Sequence, residues 1–371
     1  MKKVLILVAK LNRYREDFYE LLRNQLMESG IELHVMHGKG ENLKKDEFEL
    51  PWATPIQHKY VKAGPVTFVW QPVLKHLNEM DMIIVQQANL LLINYYLILF
   101  RRLHKIKMGY WGHGINRQFN DDSFANKFKK AIIRYTDWWF CYTPGVKELI
   151  VRHGFAPERA TVLYNAIDTR KLAEGYRALN CEETKKVRNE LNLKSEHIGI
   201  FCGGIYKEKR IEFLVEAADR IRRSLRDFEL IVIGAGPDVP VLKRLAANRP
   251  WIHYIGPRFG ADRIPYFKAA SVFLMPGLVG LAILDSFAME TPMVTTNFPY
   301  HSPEIEYLEN EINGVMTDNN VEDYAAGVVG LFENPQKLQR LKEGCRLSST
   351  QYTVERMARN FKEGIQGCLA L

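Results

Sequence analysis

Hydrophobic positions along this chain follow two habits: short runs rich in β-branched residues, and longer stretches in which apolar side chains recur at helical spacing. In the first half, the runs Lys3–Ala9, Ile31–His37, Asp81–Gln86, Lys107–Trp111, Trp138–Tyr142 and Thr161–Tyr164 read as strands. Phe18, Leu21, Leu22 and Leu26 line one face of a helix predicted over Tyr14–Ser29. A second series predicts strands at Ile198–Cys202, Glu229–Ile233, Trp251–Ile255, Ser271–Met275, Met293–Thr296 and Gly314–Met316. The last periodic stretch, Val354–Leu369, has no strand after it and reads as a helix that returns to brace the first domain. Strands alternating with helices demand a parallel sheet covered on both faces, which is why each run is continuously apolar.

Two such series imply an α/β architecture of two doubly wound, Rossmann-like domains facing a central cleft, with ligands gathered at the strand C-termini. The boundaries follow from where the pattern stops: 1–170 with the helix 352–371 as the first domain, 197–351 as the second, and the polar, strandless stretch 171–196 as linker. The long polar stretch Gly38–Gln57 suits a lid or an acceptor-binding loop. A length of 371 residues accommodates two cores of ordinary size.

Composition narrows the setting. The five cysteines are odd in number, scattered and in no CxxC pair, so neither a disulfide framework nor a zinc site is implied, and a cytoplasmic location is expected. The longest apolar run, Leu90–Phe100, is about half of what spans a bilayer and is interrupted by Asn94. Its basic flank, with Arg101, Arg102, Lys105 and Lys107, fits an interfacial helix equally as well as a core one. Residues 1–170 hold 25 Lys+Arg against 17 Asp+Glu, which is the entire net charge of +8. That asymmetry suits an anionic partner such as the inner leaflet of the plasma membrane or a lipid phosphate. A nucleic acid is not the expected partner, because no recognition motif accompanies the charge.

Two glycine-rich turns carry the candidate chemistry. The segment Pro276–Asp285 follows a predicted strand and opens a helix, so its backbone N–H groups can cradle a phosphate, with Asp285 one turn in, placed to accept from ribose hydroxyls. The segment Cys202–Arg210 follows the first strand of the same domain; Gly203 and Gly204 permit close approach of a ligand, and Lys209 can reach a diphosphate. Two phosphate-suited turns on one sheet edge point to a nucleotide diphosphate. Arg258 is placed to lie against the nucleotide base. His113, flanked by Gly112 and Gly114 at the end of a strand, is the best ligand-facing histidine, and Arg13 and Arg15 border the same edge of the first domain as acceptor contacts.

The ordered set Gly203-Gly204, Glu208-Lys209, Ile233-Gly234, Gly236-Pro237, Gly280-Leu281, Asp285, Pro292 and Asn313-Gly314, with Trp111–Gly114 and Asn165–Asp168 before it, resembles the retaining glycosyltransferases of family 4 over nearly the whole chain. The resemblance implies the two-domain GT-B fold, a nucleotide-diphosphate sugar donor and no obligatory metal or other cofactor. It implies that Lys209 binds the diphosphate, Asp285 the ribose, and His113 the donor sugar near its reacting carbon as catalytic residue. Three positions depart from the family pattern, two of them by placing a glycine where the family has a charged residue. Its paired glutamates are Gly277 and Asp285 here, and the arginine of its first turn is Gly204. In place of the absent glutamate, Gly277, Val279, Gly280 and Leu281 are expected to present backbone groups to the donor.

The activity implied is transfer of a hexose, with retention, to a glycan or lipid-linked saccharide during surface polysaccharide or lipopolysaccharide synthesis, at the inner face of the membrane. Two rival readings stay open: a catalytically weak partner protein that binds sugar nucleotides, motivated by Gly204 and Gly277, and a sugar-nucleotide epimerase of the same fold.

Overall fold

A computed structural model describes residues 1–38, 50–114, 127 and 130–371. The chain divides into two compact units, Met1–Asp168 with Thr353–Leu371, and Thr169–Tyr352.

In unit 1, β1 (Lys2–Val8), β2 (Ile31–Gly38), β3 (Thr54–Ile56), β6 (Met82–Gln86), β7 (Lys107–Gly112), β8 (Trp138–Cys141) and β9 (Ala160–Val162) form one parallel sheet in the order β3-β2-β1-β6-β7-β8-β9, while β4 (Lys59–Ala63) and β5 (Val66–Trp70) make a separate antiparallel hairpin. The central strands are buried on both faces, as at Val4–Val8 and Met82–Val85. The helix Glu16–Met27 buries Phe18, Tyr19, Leu22 and Leu26.

The helix Val354–Leu369 closes this unit. Thr353 caps it by accepting the Arg356 N–H at 3.2 Å, and the buried stripe Val354, Met357, Ala358, Phe361, Ile365 and Cys368 faces the sheet. Phe361 stacks on Phe140 at 4.3 Å and meets Trp111 and Phe18 edge-on or tilted. Full burial of one such ring contributes about 1.5–3 kcal/mol.

Three strands of unit 1 are absent from the sequence pattern. β3 is an edge strand bearing Pro55, which lacks the N–H a central strand would use. Every residue of β4 is exposed, so the hairpin has no buried face to leave a hydrophobic signature. Of the stretch 38–57 expected as a loop, 39–49 lies outside the described residues.

Unit 2 has a six-stranded parallel sheet, order β12-β11-β10-β13-β14-β15, built from β10 (Ile198–Cys202), β11 (Glu229–Ile233), β12 (Ile252–Tyr254), β13 (Val272–Leu274), β14 (Met293–Thr296) and β15 (Gly314–Thr317). Each falls on a run the sequence predicts. The strand order reverses between β10 and β13, and the loops at such a switch point are where open α/β sheets bind ligands.

The stretch 171–196, expected as linker, instead carries the helices Arg170–Ala178 and Cys181–Glu190, and both cluster with unit 2. Their apolar stripes are narrow: only Leu172, Tyr176 and Val187 are buried. Asn180 caps the second by accepting the Glu183 N–H at 3.0 Å, an Asn-x-x-Glu pattern that marks a helix start.

Candidate nucleotide site at the switch point of unit 2

The turn after β10 is zipped to the turn after β11: Gly203 N–H donates to the Ile233 carbonyl at 3.0 Å and Ile205 N–H to the Ala235 carbonyl at 2.8 Å. The chain then makes a single 3-10 turn, Lys207–Lys209, and enters the helix Ile211–Ser224. Beside it, β13 leads through Pro276 and Gly277 into the helix Ala282–Ala288. The two turns touch directly, with Leu278 N–H donating to the Glu208 carbonyl at 2.9 Å.

That contact explains the missing glutamate. A Cβ at Gly277 would lie 2.2 Å from the Glu208 carbonyl oxygen and 2.8 Å from the Lys209 carbonyl carbon, so backbone occupies the place of any side chain. The other glycine departure has a softer cause: a Cβ at Gly204 would meet the Tyr206 ring at 2.6 Å. The aromatic side chain two residues on fills the space that an arginine would need.

Lys209 is 6% exposed, and its Nζ donates to the Leu278 carbonyl, with the Met275 sulfur 3.7 Å away. Among the described residues no carboxylate pairs with it. Burial lowers its pKa to about 8 from the usual lysine value. A buried ammonium without a counter-ion is costly, and an arriving anion relieves that cost.

The backbone of the second turn is only partly available. Val279 N–H donates to His301 Nδ1 at 3.0 Å, and the Val279 carbonyl accepts from Ser302 N–H at 2.9 Å. Val279 therefore does not present its backbone to a ligand, contrary to the sequence expectation. His301 completes the brace by donating from Nε2 to the Thr296 carbonyl at 2.8 Å, which fixes its tautomer. Gly280, Leu281 and Ala282 keep amide N–H groups with no partner among the described residues, at the positive end of a helix dipole.

Asp285 is buried in the first turn of that helix and is held by Arg263, with Nη1 to Oδ2 at 2.7 Å and Nη2 to Oδ1 at 3.1 Å. Burial opposes the guanidinium charge, but the carboxylate more than offsets this and raises the Arg263 pKa. Nη1 also approaches the Cys202 sulfur at 3.9 Å, and burial pushes that thiol up to about 11. Sequence reasoning assigns no role to either Arg263 or His301. Arg258 follows the edge strand β12 and bonds the neighbouring Pro257 carbonyl at 3.0 Å; no contact joins it to Lys209 or Asp285.

In unit 1, His113 directly follows β7, is exposed, and lies against the Tyr142 ring at 4.4 Å between centroids. Arg13 is exposed in the turn after β1. Arg15 is not an acceptor-facing group: it is 5% exposed, and its guanidinium donates to the Ala166 carbonyl at 3.0 Å, to Asn165 Oδ1 and to the Met357 sulfur.

At the end of the helix Leu92–Phe100, Leu99 and Leu103 are 71% and 78% exposed and Phe100 is 40% exposed, with Arg102 and Lys105 beside them. Arg101 is spent on Asp137 at 3.0 Å. Among the described residues no helix is long and apolar enough to cross a membrane.

A Glycosyltransferase Family 4 model matches residues 18–171, and a Glycosyl transferases group 1 model matches residues 196–334. The chain belongs to the family 4 glycosyltransferases. It is 27% identical over 186 residues to the α-monoglucosyldiacylglycerol synthase of Acholeplasma laidlawii, a match covering 48% of this chain and 46% of that enzyme. The chain thus spans about half the length of this curated relative. Among solved structures, a glycosyltransferase from Rickettsia africae superposes with a TM-score of 0.73 at 17% identity, covering 99% of this chain and 98% of that one. HepE of Anabaena in complex with UDP gives 0.72 at 14% identity, covering 99% and 100%. The architecture is GT-B, with two Rossmann-like parallel-sheet units and a C-terminal helix on the first.

Proposed function

We propose that this glycosyltransferase moves a hexose, with retention, from a nucleotide-diphosphate sugar to a glycan or lipid-linked saccharide in surface polysaccharide or lipopolysaccharide synthesis. The observation that carries the reading is Lys209, a buried ammonium with no carboxylate partner among the described residues, seated where two glycine-rich turns meet at the sheet's switch point. The diphosphate binds to Lys209 and to the amides of Gly280, Leu281 and Ala282, so charge that grows on the leaving group is met by donors already in place. The bond from the anomeric carbon to the phosphate oxygen breaks, that carbon bonds the acceptor oxygen, and the acceptor proton passes to the departing phosphate. No metal is assigned to these steps, because Lys209 and the amides supply the positive charge. Asp285 faces the ribose, and His113 and Arg13 are the unit 1 groups assigned to sugar hydroxyls.

The acceptor side of the proposal includes a membrane surface. Leu99, Phe100 and Leu103 present apolar area beside Arg102 and Lys105, the composition of an interfacial anchor on an anionic leaflet. A relative named for glucosyl transfer in diacylglycerol lipids supports testing lipid acceptors first.

The test is a melting series with millimolar UDP, GDP and TDP, repeated on Lys209→Ala. A nucleotide at about 100 times its Kd adds roughly 2.7 kcal/mol of stability. One nucleotide should stabilise the chain and Lys209→Ala should abolish that gain. Failure of all three overturns the donor site, and binding without turnover on any acceptor favours a sugar-nucleotide-binding partner protein. Sedimentation with anionic vesicles, lost in Leu103→Asp, checks the membrane surface.

A further inference from the structure

Arg263 joins three chain segments at the C-terminal edge of the second sheet. It ends the short 3-10 turn Gly260–Arg263 beyond β12, grips Asp285 in the helix that follows β13, and reaches the sulfur of Cys202 at the end of β10. Both carboxylate oxygens of Asp285 accept from the guanidinium, and the two side chains are only 16% and 11% exposed. This is a bidentate fork, which sets the plane of a carboxylate as well as neutralising it. Each oxygen retains a second lone pair directed away from the fork.

Charge makes the pairing consequential. The carboxylate and the guanidinium neutralise each other within one largely buried pair. Without Arg263 the Asp285 carboxylate would stand as a buried charge without its partner, which is costly. An aspartate also has a single methylene between helix and carboxylate, so its reach is short and its orientation depends on what grips it.

We propose that Arg263 is a positioning residue of the donor site, holding the Asp285 carboxylate in the plane that accepts ribose hydroxyls. The proposal rests on the reading of unit 2 as the nucleotide site. It separates two functions: discrimination of the ribose, which needs the Arg263–Asp285 fork, and capture of the diphosphate, which needs Lys209.

The experiment is titration calorimetry on the full chain with UDP or GDP, whichever binds, its 2′-deoxy form, and inorganic pyrophosphate. The unaltered protein should favour the ribonucleotide over the deoxynucleotide by about tenfold, one hydrogen bond's worth. Arg263→Gln should bring that ratio near one and leave pyrophosphate affinity unchanged, because the diphosphate is held by Lys209 and not by the fork. The double variant Arg263→Gln/Asp285→Asn removes both charges, so it also serves if the single variant does not fold. It should likewise keep pyrophosphate binding without ribose discrimination. A ribose ratio unchanged in Arg263→Gln, or equal loss of all three ligands in single and double variants, overturns the role. Pyrophosphate binding with no ribose preference in the unaltered protein overturns it while sparing the diphosphate site. If the unaltered protein binds none of the three, the donor-site reading itself falls.

Discussion

His301 Nδ1 accepts the Val279 N–H at 3.0 Å while Nε2 donates to the Thr296 carbonyl at 2.8 Å, so one imidazole spans from the donor turn to the end of β14. The ring is a strut for the turn and not a ligand. His301→Ala leaves the buried Val279 N–H without an acceptor, at about 1–3 kcal/mol. Melting temperature should fall, and nucleotide affinity with it, because the amides of Gly280 and Leu281 are no longer held in place. Calorimetric melts with and without nucleotide check both parts.

Lys209 gives the chain a pH signature of known sign. Its folded pKa, lowered to about 8 by burial, lies below the usual lysine value of 10.5, so between those values the unfolded chain binds more protons and stability without ligand rises with pH. Nucleotide affinity should move the opposite way, declining as pH climbs through about 8 and the ammonium is lost. Lys209→Met should flatten both trends, raise the melting temperature at pH 7 and weaken nucleotide by about 10–100-fold, the worth of a charged hydrogen bond. A pH series of melts with and without nucleotide reads all of these.

The two glycine departures from the family pattern differ in reversibility. Gly277→Ala sets a Cβ against backbone 2.2 Å away, so the Glu208–Leu278 contact must open, at about 1–3 kcal/mol, and donor affinity should drop with it. Gly204→Arg meets only the ring of Tyr206, which can be removed. Gly204→Arg should therefore destabilise alone and be tolerated in combination with Tyr206→Ala. Denaturant melts of the four variants test the contrast, and equal cost for Gly204→Arg in both backgrounds would refute it.

Arg13 and Arg15 lie two positions apart and should behave as different kinds of residue. Arg15→Ala strips the donor from the Ala166 carbonyl and from Asn165 Oδ1, and should cost about 1–3 kcal/mol of stability. Arg13→Ala should leave the melting temperature unchanged and raise the KM for acceptor. Paired melts and acceptor titrations distinguish them.

The legible part of this fold is the part with a repeating solvent environment. Strands such as Val4–Val8 and Leu230–Ile233 are buried on both sides, which imposes an unbroken apolar run on the sequence. β4, exposed throughout, and the helices over 170–190, anchored by three buried side chains, impose no such run. Within the site, Lys209 is readable because it stands close after Gly203 and Gly204 in the same turn. The Arg263–Asp285 and His301–Val279 pairs each join residues 22 apart. No periodicity relates those positions; only the sheet order brings them together, so arginine and histidine there look like any others. Val279 was expected to face the ligand for the same reason: a turn's composition does not reveal which of its amides the fold has already claimed.

The helix Val354–Leu369 belongs to unit 1 but is made only after the whole of unit 2. At roughly 5–20 residues per second, ribosomes need on the order of 10–40 s to traverse that intervening unit. Throughout that interval the faces of Phe18, Trp111 and Phe140 that Phe361 will cover are bare. Unit 1 is thus closed only after unit 2 has been made, and its aromatic surface stays uncovered for as long as the ribosome takes to build its neighbour.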